Sequence, residues 1–189
     1  MKRLLFILLF STSFTLYAQV INFPKTLPQR AWSVGLSPAY HFDRDVVLFE
    51  GGGASLALNG GYGILYSLDV NARYIYFFNG ADYIGIDAQY LVYETRKSYV
   101  SAIAGLHYWD VFGCDLSGFF TYTPRYEFSF SIGLDMDLSF AEEVNPRFWI
   151  PLNAGYNLNE MMFLYAEYKL PVSELSWGIV ALGINAILH

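Results

Sequence analysis

The chain has 189 residues, 54% hydrophobic and 19% aromatic, with 16 Tyr, 16 Phe and a formal net charge of −6. This length suits one domain, the acidic balance without a basic cluster argues against a nucleic-acid partner, and the single Cys114 excludes an internal disulfide. Beyond the N-terminal segment the sequence contains no run of about 18 apolar residues that could cross a bilayer as a helix.

Lys2 and Arg3 precede the apolar run Leu4 to Phe10, then Ser11, Thr12 and Ser13, and the stretch closes on Leu16-Tyr17-Ala18 before Gln19. A charged start, an apolar stretch too short to span and Ala at the cut read as a secretory signal over residues 1–18, not a retained anchor. No Cys follows the cut, which argues against a lipoprotein anchor. Losing Lys2 and Arg3 lowers the basic count from 11 to nine against 17 acids, a mature net charge of −8. Residues 19–29 hold Pro24 and Pro28, lack alternation, and read as a short leader.

From residue 30 onward the sequence alternates with period two, in about ten segments of the length a tilted strand needs to cross a bilayer. The first, Arg30 to Phe42, puts Trp32, Val34, Leu36 and Tyr40 on one face and Ser33, Gly35 and Ser37 on the other. Ala54 to Ile64, Leu68 to Phe78, Asp82 to Tyr93 and Ser98 to Tyr108 repeat the pattern. Cys114 to Tyr122 is weaker, because Phe119 interrupts it. Tyr126 to Phe140 is the clearest, with Phe128, Phe130, Ile132 and Leu134 against Ser129, Ser131, Gly133 and Asp135. Phe148 to Leu158, Met162 to Leu170 and Trp177 to Leu188 complete the series.

Successive side chains of a strand point to opposite faces, so each segment is a ribbon with one bulky apolar side and one small polar side. Gly, Ser and Asp cannot fill a core. The bulky side is the one that needs an apolar neighbour, and a sheet closed on itself with that side in lipid satisfies every backbone group. The expected fold is an all-β, antiparallel up-and-down transmembrane β-barrel over residues 30–189, of about ten strands with eight as the alternative. The aromatic content fits interfacial girdles.

In every segment the outward residues carry even numbers, so the connections are expected to have odd residue counts. Leu65-Tyr66-Ser67, Glu94 to Lys97, Thr123 to Arg125 and Asn159-Glu160 are short, whereas Asp43 to Gly53 and Ala141 to Arg147 are longer and charged. Short turns belong on the periplasmic side, with both termini. Pro38 and Pro151 fall inside strands, where each is expected to mark a bulge or a strand end.

With its signal ending Tyr17-Ala18-Gln19, its alternating segments and a last strand running to the C-terminus, the chain resembles small outer-membrane β-barrel proteins of Gram-negative bacteria. The signal is most similar to those of Bacteroidota. The resemblance is architectural and covers nearly all of the mature chain. It implies residence in outer-membrane lipid and insertion by the barrel-assembly machinery, whose substrates commonly end in an aromatic residue. This chain departs from that rule, ending Ile187-Leu188-His189.

The small polar face carries Asp69, Asp87, Asp115, Asp135, Asp137 and Glu167 against Arg73, Arg147 and Lys169. If the hairpin at Asn79-Gly80 closes at Phe77 and Tyr83, Arg73 falls opposite Asp87. A charge in a narrow lumen needs a partner, so this pair reads either as an ion-selecting constriction or as a brace for the wall. Closing the Tyr108 to Cys114 loop sets His107 opposite Asp115 near the outer rim. That His/acid pair is the one enzyme-like feature, since a His oriented by an acid activates a hydroxyl. The nearest inward hydroxyls, Ser117 and Ser139, lie in no nucleophile motif. Gly60-Gly61-Tyr62-Gly63 precedes no helix and is not a phosphate loop. Gly183 or Gly155 is expected to admit the bulk of Tyr165. The three His are far apart in sequence, so no metal site or other cofactor is expected.

Three functions follow from this reading. The first is a non-enzymatic integral barrel, structural or narrow pore-forming, since about ten strands leave a lumen mostly filled by side chains. The second is a lipid-modifying or proteolytic barrel enzyme built on His107 and Asp115. The third, a soluble lipocalin-type barrel, requires the apolar face to point inward and the acidic face outward, against the pattern of residue sizes.

Overall fold

A computed structural model describes residues 25–42, 53–78, 80–140, 144–174 and 176–189. The signal segment and the long Asp43 to Gly53 connection, apart from Gly53 itself, lie outside the described residues.

The strands are β1 Trp32–Phe42, β2 Gly53–Leu65, β3 Leu68–Phe77, β4 Tyr83–Glu94 and β5 Ser98–Trp109, followed by β6 Val111–Arg125, β7 Phe128–Phe140, β8 Val144–Asn157, β9 Met162–Pro171 and β10 Gly178–Leu188. Each pairs antiparallel with its neighbours in sequence, and β1 pairs with β10 to close the barrel. Closure leaves no sheet edge, so the backbone groups of the wall bond within the wall. No helix among the described residues is long and apolar enough to cross a membrane.

The period-two pattern appears as two radial populations. Outward even-numbered side chains such as Phe112 and Leu134 are 70% and 69% exposed, whereas inward odd-numbered ones such as Ile75 and Ile179 are 0% exposed. Leu65, Tyr93 and Met161 are the odd-numbered exceptions among the large exposed apolar residues, and all three lie at turns. At Leu65 and Tyr93 the strand registers shift.

These shifts correct the expectation of odd-length connections. The turn between β2 and β3 is Tyr66-Ser67 and that between β6 and β7 is Tyr126-Glu127, two residues each. A two-residue turn would carry odd residues opposite even ones. Irregularities at Gly63/Leu65 and Tyr122/Arg125 absorb the extra residue and return each ladder to a single parity. At the other end Trp109 pairs with Val111 around Asp110 alone, at φ 57. The expected loop of 108–114 is therefore mostly strand. The same holds for Ala141 to Arg147, because β8 already begins at Val144.

Two further expectations are corrected. Phe119 does not break β6: it points inward, 5% exposed, and its ring lies where a Cβ on the facing Gly133 would be, at 2.7 Å. Neither proline marks a bulge or a strand end. The β1–β10 register is the same before and after Pro38, and the β7–β8 register is the same on either side of Pro151, with the ladder pairs omitted only locally.

Residues 25–31, ahead of β1, fold back across the terminal end of the barrel. Leu27 is buried among Ile75, Phe163 and Tyr165 in the interior cluster. The backbone amide of Leu27 donates to Asp69 Oδ2 at 2.7 Å, and Arg30 N donates to Gly63 O at 2.7 Å. Lys25 Nζ reaches Glu94 Oε1 at 2.6 Å and Tyr66 Oη at 3.0 Å.

Candidate functional site

The interior charges are set by parity on seven consecutive strands: Arg73 on β3, Asp87 on β4, His107 on β5, Asp115 on β6, Asp135 and Asp137 on β7, Arg147 on β8, and Glu167 and Lys169 on β9. Asp69 sits lower on β3. All except Arg147 are at most 6% exposed, and the Arg147 side chain is 14% exposed. Ionised groups at such burial need counter-charges or hydrogen bonds, because their desolvation costs several kcal/mol each.

Register decides which of them meet. The β3–β4 hairpin closes at Ile75 and Tyr83, not at Phe77 and Tyr83, so Arg73 stands opposite Gly85 and Asp87 opposite Asn71. Arg73 still forms its ion pair with Asp87, diagonally across the hairpin. His107 likewise stands opposite Gly113, and Asp115 opposite Gly105. The His107 and Asp115 side chains meet on the diagonal, with Nδ1 3.0 Å from Asp115 Oδ2. The glycines opposite these residues leave space on the inner wall, filled by His107 itself at Gly113 and by the Tyr83 ring at Gly85. A Cβ at Gly113 would lie 2.2 Å from His107 Nε2, and one at Gly85 would lie 2.6 Å from the Tyr83 hydroxyl.

Around this diagonal a continuous polar layer forms. The Tyr83 hydroxyl donates to Asp115 Oδ2 at 3.0 Å and its ring stacks on His107 at 5.2 Å. Asp137, directly opposite Asp115, places Oδ2 3.6 Å from His107 Nε2 and Oδ1 3.9 Å from Arg147 Nη1. Arg147 in turn lies over the Trp109 ring at 5.7 Å. Lys169 Nζ reaches past β8 to Asp135 Oδ2 at 2.6 Å, and Ser117 donates to the other oxygen of Asp135 at 2.5 Å. Glu167 is 2% exposed and faces Asn153 across the β8–β9 ladder.

Among the described residues, the serines nearest His107 are engaged by other groups. Ser117 donates to Asp135, and Ser139 donates to Asp137 at 3.1 Å. His107 is 3% exposed, beneath the rim rather than on it. Of the two glycines expected as alternatives for Tyr165, the geometry selects one. Gly183 admits the Tyr165 ring, with a Cβ there 2.1 Å from Cζ, but Gly155 receives Phe163 at 2.2 Å.

Sequence reasoning placed Asp137 on the inward face without its link to His107, and it missed Tyr83 and Leu27. Asp137 joins the His107 group only because β6 and β7 align Asp115 with Asp137. Tyr83 reads as a strand residue like any other. Leu27, between two prolines in a segment without periodicity, carries no sequence signal for its place in the barrel.

No protein-family model matches the chain, and no curated protein matches it. Among solved structures, an outer membrane channel from Pseudomonas putida F1 is similar with TM-score 0.60 at 8% identity, over 90% of this chain and all of that one. The KdgM porin is similar with TM-score 0.53 at 8% identity, over 82% of this chain and 99% of that one. Identities this low establish the barrel fold alone.

Proposed function

We propose that this chain is a non-enzymatic integral protein of the outer membrane, whose barrel is a structural element with a side-chain-filled lumen rather than a standing pore. The observation that carries this reading is the contrast between the two faces. Tyr83, Phe77 and Lys169 are at most 1% exposed on the inside, whereas the outside bears bulky apolar residues open to their surroundings. A water-filled channel would leave its lining accessible; this lining is covered by its own ion pairs and rings. The outward face is the one that closed barrels turn to lipid. The secretory signal of residues 1–18 supports export, and a barrel of this kind takes outer-membrane lipid and the barrel-assembly machinery as its partners. His107 bonded to a carboxylate, with the nearby serines bonded elsewhere, supports a non-enzymatic role.

The test has two parts. Fractionation followed by an unboiled gel is expected to place the protein in the outer membrane with a heat-dependent mobility shift; soluble protein without that shift would refute membrane residence. In a planar bilayer the purified barrel is expected to show no sustained conductance. Stable open-channel currents would replace the structural reading with a narrow pore.

A further inference from the structure

We propose that His107 and Asp137 bind a transition-metal cation of the zinc class inside the barrel, with Asp115 orienting the histidine. Donor atoms of His107, Asp115 and Asp137 lie within 4.8 Å of one another, and all three residues are buried. The three histidines are remote in sequence, but register supplies what spacing does not: two carboxylates facing each other across β6 and β7, with one imidazole between them.

The polarity of the contacts distinguishes the roles. Asp115 Oδ2 lies 3.0 Å from His107 Nδ1, so a carboxylate there accepts the Nδ1 proton and the neutral imidazole carries its lone pair on Nε2. This carboxylate–histidine arrangement is the one that prepares an imidazole for a metal. Nε2 has no hydrogen-bond partner, and neither has Asp137 Oδ2, which it faces at 3.6 Å. That distance is too long for a hydrogen bond. It suits two ligands of one ion, each about 2.0–2.2 Å from the metal.

The surroundings leave these two atoms available. Ser139 and Arg147 engage Asp137 through Oδ1, turning Oδ2 toward the imidazole. Tyr83 engages Asp115 Oδ2, and Asp115 Oδ1 has no hydrogen-bond partner and can complete the site together with water. Two carboxylates against one guanidinium leave negative charge for a cation to neutralise. Gly113 opposite His107 supplies the room, since a Cβ there would reach within 2.2 Å of Nε2. A nitrogen donor beside carboxylates selects zinc, cobalt or nickel over magnesium and calcium.

The proposal holds whether or not the barrel conducts, and the full chain in detergent micelles tests it. Co2+ absorption and Zn2+ equilibrium dialysis are expected to show one saturable equivalent. His107→Ala is expected to abolish it. Asp137→Asn, close in shape and thus the variant that keeps the fold, is expected to weaken binding at least tenfold. Asp115→Asn is expected to weaken it 10- to 100-fold, the range for a residue that orients a ligand. A heat-dependent gel shift verifies that each variant is folded. Absence of saturable binding by the unaltered protein, or binding unchanged in folded Asp137→Asn, would overturn the site. So would nuclear magnetic resonance showing protons on both His107 nitrogens in excess Zn2+, since the group would then be a doubly held imidazolium.

Discussion

The Ser37 hydroxyl donates to the Leu182 carbonyl at 2.8 Å, in the place that the backbone of Pro38 cannot fill. The β1–β10 register puts Leu182 opposite Pro38, and proline has no N–H to give. A neighbouring inward side chain therefore closes the gap, and the strand runs straight through its proline. Ser37→Ala is expected to cost about 1–3 kcal/mol, the penalty for a buried acceptor left without a donor. Adding Pro38→Ala returns a backbone donor and is expected to recover most of that loss. Urea unfolding of the two single variants and the double variant measures the coupling; additive effects would show that the hydroxyl does not stand in for the missing amide.

The outward face gives a prediction with a definite sign. Ile132 is 50% exposed on β7 and flanked by the outward Phe130 and Leu134. In lipid, Ile132→Arg near the midplane is expected to cost roughly 2–4 kcal/mol, while Ile132→Leu stays close to neutral. Unfolding in lipid vesicles makes the comparison. An Arg variant as stable as the Leu variant would remove this position from the lipid-facing surface.

Arg73 and Asp87 offer a test of the interior charge layer. Removing one member of a buried pair leaves the other charge behind, at about 3–5 kcal/mol. Asp87→Leu alone is therefore expected to be more harmful than Arg73→Met combined with Asp87→Leu, because the double variant removes both desolvation penalties. Refolding yield and urea midpoint decide the order, and a double variant worse than Asp87→Leu alone would mean that Arg73 is held by partners other than Asp87.

At the terminal end, Leu27 is 1% exposed within the interior cluster. Leu27→Ala is expected to cost about 2–5 kcal/mol of local or global stability and to expose residues 25–31 to protease. Lys25, partly exposed, adds less through its pair with Glu94. Partial burial alone would lower the Lys25 ammonium pKa, but Glu94 and Tyr66 outweigh it and hold it above its ordinary value. Its contribution is thus present below the ordinary lysine pKa and lost as pH rises through the raised one. Limited proteolysis across that range measures both effects; cleavage indifferent to Leu27→Ala would separate the leader from the barrel's stability.

Alternation alone was enough to locate the strands and to tell their faces apart, because side-chain direction in a strand is a local property that repeats every two residues. Even Pro38 and Pro151 left the faces unchanged. Parity also assigned Arg73, Asp87, His107 and Asp137 to one side of the wall. Which of them touch was not legible, since contact depends on where each hairpin closes. A closure at Ile75 instead of Phe77 sets Arg73 against Gly85 and sends it diagonally to Asp87. Alternation also does not reveal that Lys169 crosses β8 to Asp135, or that Leu27 folds back beneath Asp69. Those contacts exist because a narrow closed barrel brings strands that are remote in sequence within one side-chain length, a distance that only closure in three dimensions sets.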